Sequence, residues 1–235
     1  MNFRRVAFLL LLLGSLGASW PFSWLFPQSN REAFGSSSWV QRQVTIIASQ
    51  IGNIDKNVLR LSLVAYVNAT KKGLANQKQL LTVIDYSKPS TEKRLWVFDL
   101  KNGKTLFNTW VSHGKNSGGL TPNSFSNVPG SLKSSIGVFV TDETYMGGNG
   151  YSLRLRGLER GVNDNAYRRD IVIHGARYVD SNVVKQYGKV GRSWGCPAVS
   201  LNLIVPLINT IKEKTLVFAY YPDRTWLSRS TFLSN

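Results

Sequence analysis

From about residue 82 the apolar residues recur with the two-residue period of β-strands, in short runs that continue almost to the C-terminus. Residues 82–86, 94–98 and 105–111 read as three strands, with Asn102-Gly103 as the hairpin turn between the last two. Residues 136–140, 151–156, 171–174 and 215–220 continue the series. In the 151–156 run arginines alternate with leucines, so one face is apolar and the other basic. Many short strands with few intervening helices predict a mainly β fold with flanking helices (α+β). Such a fold is a β-sandwich or distorted barrel and not a doubly wound sheet.

Before the strands the period is helical. Ile54, Val58, Leu61 and Ala65 share a helix face, Asp55 can serve at its start, and Lys71-Lys72-Gly73 forms a stop signal. A last helix is predicted over 205–212, with Pro206 in its first turn. Residues 112–135 are dominated by Ser, Gly, Asn and Pro, and a stretch so long and irregular is either a functional loop or a disordered one. The chain therefore divides into residues 1–19, a linker at 20–39, a helical segment at 40–80, a β domain at 81–223 against which that segment packs, and a tail at 224–235.

Residues 1–19 have the pattern of a secretory signal: Arg4 and Arg5, an apolar run over 6–13, then small residues. The alternative is an uncleaved anchor whose Trp20, Phe22, Trp24 and Phe26 contact a membrane interface. Either way the expected location is the periplasm or cell envelope. A net charge of +16 favours an anionic partner. Export directs that expectation to the envelope and excludes nucleic acid.

Cys196 is the only cysteine, so no internal disulfide can form, and its thiol is either sheltered or used. It lies in the turn Gly191-Arg192-Ser193-Trp194-Gly195-Cys196-Pro197-Ala198. The chain has two histidines, His113 and His174, so a cysteine nucleophile has two candidate bases. His174, at the end of an apolar strand and followed by Gly175, is the better placed. The main-chain amides of Trp194, Gly195 and Cys196 are candidates to hold a tetrahedral oxyanion. One cysteine and two histidines without close spacing make a poor zinc site, and neither metal nor cofactor is expected. Against the catalytic reading stands a buried structural cysteine with a core histidine.

The segment Ile173-His174-Gly175-Ala176 followed by Ser193-Trp194-Gly195-Cys196 resembles the L,D-transpeptidase catalytic domain, and within it the murein L,D-transpeptidase branch. The likeness extends to the 111–118, 152–155, 163–166 and 191–198 segments and spans roughly residues 57–222. Trp194 stands where the broader family has His, and Ala198 where it has Arg or Asn. The resemblance implies that residues 81–223 are a catalytic domain of that type. It further implies that Cys196 attacks a peptidoglycan stem peptide, with His174 as base and the thioester resolved by an amine (transpeptidation) or by water (L,D-carboxypeptidation). A non-catalytic peptidoglycan-binding envelope protein is the alternative. A role in cell wall biogenesis and cell shape follows from the same likeness. His113 could orient the site, replace His174 as base, or be structural. Arg192, Ser193, Arg169 and Tyr145 are the candidate substrate contacts, the arginines through carboxylates.

Overall fold

The computed structural model describes residues 32–234. The expected signal or anchor at 1–19 and most of the 20–39 linker lie outside the described residues. No described helix is long and apolar enough to cross a membrane.

Two helices come first. The helix α1 (Ser37–Gln50) starts where the Ser36 hydroxyl accepts from the Trp39 amide. The next, α2 (Lys56–Lys71), starts at Asp55, whose carboxylate accepts from the Asn57 and Val58 amides. It stops where Gly73 takes φ +69, the left-handed conformation that glycine adopts at least cost. Val58, Leu59, Leu63 and Tyr66 form its buried face, at about 1.5–3 kcal/mol per large apolar side chain.

Eight strands make one sheet: β1 (Leu80–Asp85), β2 (Leu95–Asp99), β3 (Lys104–Thr109), β4 (Gly137–Gly147), β5 (Gly150–Gly157), β6 (Val172–Ala176), β7 (Ala198–Ser200) and β8 (Leu216–Tyr220). Their order is β3-β2-β1-β8-β4-β5-β6-β7, with β1–β8 and β6–β7 parallel and the rest antiparallel. The two edges are tied together. Beyond β3 the Ser112 amide donates to Ala198 O (2.9 Å), the Ser193 amide to His113 O (2.9 Å), and the Lys115 amide to Ser193 O (2.8 Å). The sheet is thus a nearly closed barrel with a few helices, as the strand series predicts. Central strands β1, β2 and β8 are buried almost throughout, which explains their near-continuous apolar runs.

Some elements differ from the pattern. The strand read at 136–140 continues to Gly147 through a bulge between Thr141 and Thr144, where the alternation breaks. Three-residue β7 and the short helix α3 (Ser181–Tyr187) had no periodic signal. Helix α4 spans Leu201–Ile211, so Pro206 lies inside it and not in its first turn. The apolar residues alone mark only its buried half: Ile204, Leu207, Ile208 and Ile211. The last helix, α5 (Arg224–Arg229), buries Trp226, whose indole N–H donates to Glu159.

Candidate active site

Cys196 sits in the bend that leads into β7, half-buried. The β6–β7 register pairs His174 with Ala198, so the cysteine lies two positions earlier, beside Val172. The Val172 amide approaches its sulfur at 3.5 Å, and the thiol donates to Asp170 O at 3.3 Å. Asp170 holds φ +52, a left-handed conformation in a non-glycine residue, and this turns its carbonyl toward the thiol. Gly195, at φ +131, passes so close to the 133 backbone that a Cβ would stand 2.8 Å from Lys133 O. The turn requires glycine there for both reasons.

His174 is 4% exposed. Its Nδ1 lies 3.0 Å from Gly175 O, which makes Nδ1 the protonated nitrogen and leaves Nε2 as an acceptor. Gly175 thus orients the imidazole through its carbonyl. A Cβ on Gly175 would meet Leu201 and Ile204 of α4 at 2.9 and 3.0 Å, so the strand can pack there only without a side chain. Burial lowers the His174 pKa, partly opposed by the Gly175 carbonyl. Burial raises that of Cys196, opposed by the Val172 amide and the Arg169 charge. Both shifts favour the uncharged forms, a thiol at Cys196 and a neutral imidazole at His174. Thiol alkylation should rise only through a pKa above the ordinary 9.0, with no thiolate ultraviolet absorbance at neutral pH. A thiolate signal at neutral pH would contradict this.

Of the candidate oxyanion donors, the Gly195 amide is already bonded to Ser193 Oγ at 3.1 Å. Among the described residues the Trp194 and Cys196 amides have no hydrogen bond. The Trp194 side chain is 76% exposed, with Lys115 Nζ 5.9 Å from its ring centre.

The expected substrate contacts separate into two groups. Tyr145 lies two strands from His174: the registers place Tyr145, Ser152, His174 and Ala198 in one row across four strands, and the Tyr145 ring packs on Arg154. Three others are occupied by the protein itself. Ser193 Oγ donates to Cys196 O at 2.6 Å and shapes the turn. Arg169 bonds Ser126 O, Ser135 Oγ, Ser131 Oγ and Lys133 O, and so pins the 126–135 loop. Arg192 is exposed, yet its Nη1 bonds Lys115 O and Gly118 O.

His113 is also placed differently from its proposed orienting role. It is 0% exposed, and its Nδ1 accepts from Arg94 Nη2 at 2.8 Å while Nε2 lies 3.3 Å from Gly118 O. With both nitrogens engaged, the ring serves the loop, and only its backbone reaches the Cys196 turn, through Ser193. Burial, then the Arg94 charge, lowers its pKa from 6.5 to about 4. A depressed histidine pKa adds stability that is complete above pH 6.5 and is lost as pH falls toward 4, because only the unfolded chain takes the proton there. The loss should reach about 3 kcal/mol. His113→Gln should flatten that part of a denaturation-versus-pH curve.

The role of Arg94 was invisible in the sequence, since a basic residue opening the 94–98 strand beside Lys93 gives no sign of buried partners. Ser112 and Ser134 were equally hidden. Ser112 Oγ accepts from the Ala198 amide at 3.1 Å, and Ser134 Oγ donates to Gly195 O at 3.2 Å. The serine-rich loop is thus the scaffold of the turn. A cavity of about 620 Å³, lined by Phe125, Glu159, Trp226 and Arg229 among others, includes none of the candidate catalytic residues.

No curated protein matches the chain. Similar solved structures include an L,D-transpeptidase from Mycobacterium smegmatis (13% identity, 61% of this chain and 59% of that one, TM-score 0.38). Another is the L,D-transpeptidase LdtMt1 in complex with imipenem (16%, 60% and 59%, TM-score 0.38). A third is an L,D-transpeptidase from Stackebrandtia nassauensis (12%, 76% and 76%, TM-score 0.36). The chain spans about 59% of the length of the first two. Residues 50–220 match the family described as L,D-transpeptidase catalytic domain, and the chain belongs to that family.

Proposed function

We propose that this protein is an exported cysteine acyltransferase acting on peptidoglycan stem peptides through a Cys196 thioester. The observation that carries the reading is the lone thiol held against the β6 backbone at Val172, in the bend that leads into β7, with His174 two residues further along β6 and its Nε2 left as an acceptor. In the first step the thiol proton passes to His174 Nε2 as Sγ bonds the scissile carbonyl carbon. The free amides of Trp194 and Cys196 are the donors for the resulting oxyanion. Collapse breaks the C–N bond, and His174 returns the proton to the leaving amine. An amine of a second stem, or water, then attacks the thioester. Residues 81–223 constitute the catalytic domain in this reading, with 40–80 packed on it and 1–19 directing export to the periplasm. Its net charge of +16 suits an anionic envelope.

The test is incubation with purified disaccharide-tetrapeptide and mass analysis of the products. Cross-linked dimers indicate transpeptidation, tripeptides indicate carboxypeptidation, and unchanged substrate would refute the reading. A carbapenem offers a second probe: the intact chain should gain one adduct, mapped to Cys196.

A further inference from the structure

The cavity that holds none of the candidate catalytic residues has a volume of about 620 Å³, within the range of about 300–1,000 Å³ usual for small-ligand sites. Phe125, Ile136, Leu158 and Val162 give it hydrocarbon walls. Its charged lining residues are Arg160 and Arg229 on one side of the balance, Asp223 and Glu159 on the other. Glu159 is 7% exposed and already satisfied. It accepts from the Val138 amide at 2.7 Å, from the Trp226 indole N–H at 3.0 Å and from the Ser230 hydroxyl, and so ties the walls together. Arg160 and Arg229 are exposed, and neither guanidinium makes a hydrogen bond or salt bridge among the described residues. One Asp223 oxygen accepts from the Trp226 amide at 2.8 Å, which leaves the other open, and the Thr225 hydroxyl is unbonded among the described residues. The cavity therefore combines apolar walls with unused donors and an unused acceptor.

We infer that this cavity binds a neutral N-acetylated disaccharide unit of the glycan strand, and so anchors the polymer whose stem peptide reaches Cys196. With charges of both signs in the lining, a lone anion or cation always meets a repulsive neighbour. A sugar needs donors and acceptors at once, because each hydroxyl is both. The guanidinium groups donate, the open Asp223 oxygen accepts, and Thr225 does either. The C–H faces and acetyl methyl of the sugar match the hydrocarbon walls. The placement suits one polymer occupying two sites. Ser126 lines the cavity, and its carbonyl accepts from Arg169 Nη1. The next residue, Asp170, supplies the carbonyl that takes the Cys196 thiol. One arginine side chain thus links the cavity wall to the thiol's partner. Once the glycan is held, capture of its stem becomes intramolecular, at an effective concentration set by the short peptide between them. The inference rests on the peptidoglycan reading and adds a polymer contact outside the Cys196 turn.

The probe is N,N′-diacetylchitobiose, titrated calorimetrically into the full-length chain, with sodium acetate and inorganic phosphate titrated in parallel. The disaccharide should bind, and its affinity should fall at least about tenfold in Arg229→Ala, the worth of one charge-assisted hydrogen bond. Thr225→Trp, an exposed change in the first turn of α5, puts an indole where the cavity is lined by a hydroxyl. It should abolish binding while the melting temperature stays within a few degrees of wild type. In turnover, the ratio of kcat/KM on intact sacculi to kcat/KM on free tetrapeptide should fall at least about tenfold in both variants. Absence of disaccharide binding, tighter binding of acetate or phosphate, or binding unaltered in both variants would overturn the subsite. Disaccharide binding without turnover of any stem would leave the subsite standing and remove the acyltransferase reading. Turnover of stems without disaccharide binding would do the reverse.

Discussion

Cys196→Ala is expected to abolish turnover of muropeptides and carbapenem acylation together, by at least about 10³-fold, because no other group in the chain can form a thioester. Folding should survive. The sulfur makes only two long contacts, 3.5 Å from the Val172 amide and 3.3 Å to Asp170 O, and it is already half-buried. Its loss deletes a small side chain at the rim of the barrel, and the turn keeps the Ser193, Ser112 and Ser134 bonds that hold its carbonyls. The melting temperature should stay within a few degrees of wild type. His174→Gln should lower the rate by about 10²–10⁴-fold, because it removes the proton carrier and leaves the thiol. Residual wild-type rates in Cys196→Ala would remove the mechanism, whatever the fold.

The parts of this arrangement that were legible in the sequence are those set by local chemistry. Strands β1, β2, β6 and β8 are short apolar runs of strand length, and in β5 the Arg154 and Arg156 alternation correctly announced a basic outer face. Cys196 and His174 could be singled out as the proposed nucleophile and base because cysteine and histidine are scarce here. What could not be read was long-range. Strand β7 is three residues long and exists because β6 and the segment beyond β3 supply its partners. Arg169 and Arg192 looked like free cations, and only the fold shows backbone carbonyls claiming them. His113 looked like a second candidate for catalysis because its partner Arg94 lies nineteen residues earlier on another strand end. The 112–135 composition signalled irregular backbone, but it did not reveal that the serines would bond one another's main chain and shape the nucleophile's turn.

Arg94→Met should be the most damaging substitution outside the catalytic pair. Arg94 is 0% exposed and has no carboxylate within ion-pair distance among the described residues. Its charge survives because Nε and Nη2 bond Val111 O, Nη1 bonds Lys88 O at 2.7 Å, Nη2 bonds His113 Nδ1, and the Tyr86 ring lies 5.3 Å away. Burial lowers its pKa to about 10, still well above neutrality. Methionine fills the volume but leaves the buried Val111 O and His113 Nδ1 and the part-buried Lys88 O without this donor, at about 1–3 kcal/mol for each buried one, partly offset by no longer burying a charge. A net loss of about 3–5 kcal/mol is expected in denaturant unfolding. Stability is only half of the consequence. Val111, Ser112 and His113 form the edge on which the 193–198 turn docks, so the folded fraction should also show a lower kcat. Without the guanidinium beside it, His113 should titrate above its present value of about 4. A histidine ring resonance that moves this way while the folded chain loses kcat would tie Arg94 to the architecture of the nucleophile's turn. An unchanged His113 titration in a fully stable, fully active variant would show that the network has no such part.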